Sequence, residues 1–251
     1  MKELKEVMKK YLPFFLLTLG LGVLITSFFI IRAKKSPVDE EEAVAEIPFE
    51  KRPFVSLIPD EEGHWLKLRI EKLIFEASSL DYELLYKVPD GRTQGVPGTI
   101  KLTGQKEIER DLLLGSESSG KFRYDEDVET GTLTLRFRDE KGKLMGKLST
   151  DFHLQKRVKV VGSVDQKFSF TFDDEPKRGF FVTMETFGVP DGLSNIIAGP
   201  FAVFSSNQGP QPGKVDFKES GIINFWDGSS WQELNLGKSE DIGLFALTAS
   251  E

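Results

Sequence analysis

Between Tyr11 and Ile31 no charged residue interrupts a run dominated by Leu, Ile, Val and Phe. Such a run has no polar face, so it cannot be an ordinary surface helix. At 1.5 Å per residue it covers about 31 Å, close to a hydrocarbon core of roughly 30 Å. Pro13 falls in the first turn, where a missing N–H costs little. Gly20 and Gly22 are tolerated because lipid leaves the backbone no partner but itself. The pattern predicts a single transmembrane helix over 11–31. A cleaved signal peptide would want a shorter apolar run followed at once by small residues. Here Phe28 to Ile31 lead straight into Arg32, Lys34 and Lys35, and Ala43-Val44-Ala45 lies beyond a charged stretch.

Past the helix the pattern changes twice. Residues 32–53 carry Pro37, the acidic run Asp39 to Glu42 and Pro48, which predicts an extended linker. From Phe54 onward, short alternations of period two dominate. Leu66, Leu68 and Ile70 alternate with Lys67, Arg69 and Glu71, and Leu133, Leu135 and Phe137 alternate with Thr132, Thr134 and Arg136. Phe168, Phe170 and Phe172 share one face of a further strand. Asp139-Glu140-Lys141-Gly142 predicts a hairpin turn into Leu144 to Phe152. Gln105 to Leu114 is the nearest candidate for a helix, yet it also alternates as a strand.

Many short strands with Gly and Pro between them predict an all-β fold of antiparallel sandwiches, immunoglobulin-like in type. The expected organisation is a tail at 1–10, the helix at 11–31, the linker at 32–53, a sandwich at 54–157, and a second sandwich or a continuation of the first at 158–251.

Charge sets the expected orientation. Lys2, Lys5, Lys9 and Lys10 precede the helix against Arg32, Lys34 and Lys35 after it, which favours a cytoplasmic N-terminus by one charge. The expectation is a single-pass cell-membrane protein with an extracytoplasmic C-terminal body. The net charge of −7 argues against nucleic acid as a partner. With no cysteine in the chain, disulfides, thiolate metal sites and cysteine nucleophiles are excluded.

Catalytic patterns are sparse. His64 and His153 lie far apart in the chain, with no metal-ligand spacing, and His153 reads as a surface or edge residue. Ser118 and Lys121 form an S-x-x-K pair, but their Gly/Ser surroundings read as a loop that cannot hold a helical turn. Asp125-Glu126-Asp127 and Asp173-Asp174-Glu175 read as solvated turns. The most suggestive segment is Trp226-Asp227-Gly228-Ser229-Ser230-Trp231, which predicts a tight connection with both indoles at its mouth. Those rings either close the end of a sandwich or stack on a sugar.

No cofactor or metal is expected. The leading expectation is a non-catalytic adhesion, scaffolding or envelope-interaction protein that meets another envelope protein or a polysaccharide. A carbohydrate-binding module using Trp226, Trp231, Asp227 and Trp65 is the second. A hydrolase using an Asp/Glu pair is the third.

Overall fold

The computed structural model describes Val44 and residues 46–250, and the expected membrane span at 11–31 lies outside them. Among the described residues no helix is long and apolar enough to cross a membrane. Regular structure here is strand, apart from single 3-10 turns at Phe49–Lys51 and Asn235–Gly237.

In chain order the strands are β1 (Phe54–Pro59), β2 (Trp65–Glu71), β3 (Ser79–Lys87), β4 (Thr93–Lys101), β5 (Ile108–Leu113), β6 (Gly115–Ser118), β7 (Lys121–Tyr124), β8 (Thr130–Arg138) and β9 (Leu144–Lys156). They continue as β10 (Val160–Gly162), β11 (Phe168–Phe172), β12 (Phe180–Glu185), β13 (Ile196–Ser205), β14 (Gly213–Phe217), β15 (Ile222–Trp226), β16 (Trp231–Glu233), β17 (Lys238–Ser239) and β18 (Leu244–Thr248). A nine-stranded sheet runs β16-β15-β18-β13-β12-β9-β8-β3-β4. A three-stranded sheet, β1-β2-β5, a four-stranded sheet, β10-β11-β14-β17, and the β6-β7 ribbon complete the body. The pairings are antiparallel, from β1 on β2 to β12 on β13. The expected helix candidate at 105–114 contributes β5, paired with β2 from Ile70↔Ile108 to Trp65↔Leu113.

Alternation decides which face each side chain takes. On β12, Val182 and Met184 enter one core with Leu57, Leu68 and Leu84, while Phe181, next to Val182 in the chain, enters another with Phe168 and Phe170. The three-stranded and four-stranded sheets therefore cover opposite faces of the long sheet, giving two sandwich-like layers that share a wall. A strand buried on both faces loses the in–out alternation, and Phe181, Val182, Thr183 and Met184 are buried one after another. Each large side chain taken from water in this way contributes roughly 1.5–3 kcal/mol.

Two expected boundaries meet this architecture. The cores do not divide at Arg157, since Val182, Met184 and Phe187 beyond it pack in the first core. The sheet itself continues across it, because β9 pairs with β12 from Lys156↔Phe180 to Phe152↔Met184. At the other end, the folded body starts within the stretch expected as linker. Ile47 is 1% exposed and packs in the first core, and Arg52 Nε donates to its carbonyl at 2.9 Å. One apolar side chain among prolines and carboxylates is enough to tie that segment down.

Candidate functional site

One corner of the body gathers residues from β2, β7 and the segments beside them. The chain turns into the β6–β7 ribbon at Gly115, where a Cβ would lie 2.2 Å from the Arg123 carbonyl oxygen, so glycine is required. Ser119 (φ 53°) and Gly120 (φ 74°) form its two-residue tip, with Ser118 paired to Lys121. Two left-handed residues in a row are the signature of the twisted hairpin turn. The S-x-x-K pair is thus part of a hairpin, not the loose loop expected, and no helix presents its amine to its hydroxyl.

The ribbon places Phe122 and Tyr124 on one face. Tyr124 stacks on His64 with centroids 4.1 Å apart and planes within 2°. Phe122 lies parallel to Tyr124 at 6.2 Å, and Trp65 meets Phe122 edge-on at 5.6 Å. Phe122 remains 46% exposed and Tyr124 36%, which is high for rings of this size. Asp60 holds the start of β2 by accepting from the backbone N–H of His64 at 2.8 Å and of Trp65 at 3.1 Å.

Behind the stack opens a cleft of about 290 Å³, lined by Glu62, His64, Asp125 to Glu129, His153, Lys156 and Phe180. The two histidines expected to stay apart converge on it. His153 is neither an edge nor a fully exposed residue: β9 lies inside the long sheet, and the half-buried ring sets Nδ1 2.9 Å from the Gly162 carbonyl. A carbonyl only accepts, so Nδ1 carries the proton there. His64 Nδ1 lies 3.4 Å from Glu62 and Nε2 3.4 Å from Glu126.

Asp125 is more than a solvated turn residue. Its Oδ2 accepts from the buried Tyr86 hydroxyl at 2.9 Å. Burial, and then the Asp125 carboxylate, push the Tyr86 phenol far above its ordinary range, so it stays protonated as the donor. Asp127 holds Lys156 at 3.1 Å, and the same ammonium sits 5.5 Å from the Phe180 ring centroid. Gly63 makes room for that ring, since a Cβ there would meet it at 2.4 Å.

Neither a hydroxyl nor a thiol lines the cleft among the described residues. No set of three or more His, Asp and Glu side chains among them is arranged to hold a metal ion. Asp173 to Glu175, the other acidic run, is exposed elsewhere on the surface.

Trp226 and Trp231 do meet, as directly paired residues of β15 and β16 with centroids 5.5 Å apart. Both are half-buried against Val189, Ala202 and Leu244, and Trp231 Nε1 donates to the Asp191 carbonyl at 3.2 Å. Asp227 is occupied inside its own turn. Its carboxylate accepts from the backbone N–H of Ser230 at 2.7 Å and of Ser229 at 2.8 Å, and from both serine hydroxyls. Those donors, the two backbone N–H groups foremost, hold it well below the usual carboxylate range. Trp65 belongs to the other cluster, with Phe122.

No protein-family model matches the chain, and neither does any curated protein or solved structure.

Proposed function

We propose that this chain is a single-pass membrane protein, anchored by residues 11–31, whose β body lies outside the cytoplasm and acts by binding. Its role is then adhesion, scaffolding or contact with another envelope component, with the stacked sheets as an immunoglobulin-like rigid support. The observation that carries the binding reading is the half-exposed Phe122–Tyr124 stack standing beside an open cleft. Large aromatic rings left in water on a rigid hairpin are what an interface uses as anchors. The cleft beside them supplies polar groups that would orient a bound partner.

The test is recovery of partners from native membranes by crosslinking, comparing the tagged full-length chain with its Phe122→Ala/Tyr124→Ala variant. The proposal expects a crosslinked species with the parent chain that the variant loses at equal expression. Identical crosslinks from both chains, or turnover of a glycan or peptide substrate by the purified protein, would contradict it.

A further inference from the structure

We propose that the face presented by Phe122 and Tyr124 docks a basic polypeptide segment of a partner protein, with its lysine or arginine side chains seated between the rings and the carboxylates around them. This rests on the binding reading above and names the chemistry of its partner.

Charge complementarity on an apolar face points to such a partner. Alternation along β7 puts Phe122 and Tyr124 on one side and the cations Lys121 and Arg123 on the other. Glu117 pairs directly with Phe122 across the ribbon and so shares the aromatic side. Where the stack ends at His64, Glu62 and Glu126 flank the imidazole, with side chains 75% and 73% exposed. Further along β2 the cations are already neutralised, Lys67 by Asp111 at 2.8 Å and Arg69 by Glu71, Glu107 and Glu109. The aromatic face is therefore apolar in the middle and negative at its margin.

A cation suits both halves of such a face. The ring quadrupole attracts positive charge to its surface, and a carboxylate at the ring edge completes the site. The cleft contains this arrangement within the chain itself, with the Lys156 ammonium held by Asp127 and the Phe180 ring. Phe122 and the face of Tyr124 that His64 leaves uncovered have Glu117, Glu62 and Glu126 nearby, and within β7 itself no lysine or arginine shares their side. A neutral glycan would gain the stacking but leave this surplus of carboxylates uncompensated.

The experiment titrates the full-length chain, in mild detergent, into a fluorescein-labelled peptide of alternating lysine and glycine, and reads anisotropy. Phe122→Ala/Tyr124→Ala should weaken binding about tenfold, as should Glu62→Gln/Glu126→Gln, which leaves the ring packing in place. Asp174→Asn/Glu175→Gln removes the same number of carboxylates from a distant exposed turn and should leave binding unchanged. Equal weakening by the distant pair would reduce the effect to net charge and overturn the proposal. So would full binding by the aromatic variant, or tighter binding of an amine-bearing oligosaccharide than of the peptide. If the peptide fails to bind while the native crosslink still depends on Phe122 and Tyr124, binding stands and the basic segment is rejected.

Discussion

Gly115 shows how much of the candidate site hangs on one residue. It admits the ribbon backbone where any side chain would run into the Arg123 carbonyl. Replacing it with alanine cannot be absorbed by a rotamer change, because the obstacle is backbone. Gly115→Ala is expected to cost about 1–3 kcal/mol, seen as a lower urea midpoint, and to loosen the Tyr124–His64 stack. An unchanged midpoint would mean that the ribbon does not enter where Gly115 places it. The turn residues carried partial signals in the sequence. Ser119-Gly120 is a two-residue turn dipeptide, and reading it as such places Ser118 opposite Lys121. Asp227 was legible as a turn former, but the sequence could not show that its own turn consumes both carboxylate oxygens.

At the scale of elements, period-two alternation located strands such as β2, β9 and β11 well because one face of each is buried. Phe168, Phe170 and Phe172 are buried with Ser169 and Thr171 between them, as alternation requires. The turn at Asp139 joins β8 to β9, its carboxylate accepting from the Lys141 and Lys143 backbones. What alternation cannot tell is which strand lies beside which. His64 and His153 line the same cleft only because the three-stranded sheet, with β2, packs on the long sheet that holds β9, a tertiary arrangement with no local signal.

The uncovered face of β3, β4 and β8 shows a further element-scale effect. Asp81 accepts from Arg138 Nε at 2.6 Å and from the Thr99 hydroxyl at 2.7 Å, tying three strands together. Burial opposes the ionised form, but Arg138 and Thr99 outweigh it, so the folded carboxyl titrates below its ordinary value. The sign follows from linkage. The folded state binds fewer protons, so this stabilisation is fully present above the unfolded aspartate pKa of about 3.9 and is lost as pH falls through the lower folded value. Asp81→Asn is expected to cost about 1 kcal/mol at neutral pH and to make the loss of stability below pH 4 shallower. Parallel acid-unfolding curves for the two chains would show that Asp81 is not so held.

For the whole molecule, the long sheet is the organising feature. It carries one layer on each face, so residues on either side of Arg157 share a continuous ladder. All-β character and antiparallel pairing follow from patterning. The staggered stacking does not, because it depends on which face of a doubly buried strand each small sheet covers. The candidate corner stands at one margin of this body, and its proposed use requires that corner to face a partner outside the cell membrane.

The most direct measurement exploits the absence of cysteine from the chain. Glu140→Cys, in the exposed β8–β9 turn, introduces a single thiol that a membrane-impermeant maleimide can report. The account predicts labelling in intact cells, on a protein of full-length mass recovered in the membrane fraction. Labelling that appears only after permeabilisation, or an intact chain recovered in the aqueous fraction, would contradict it.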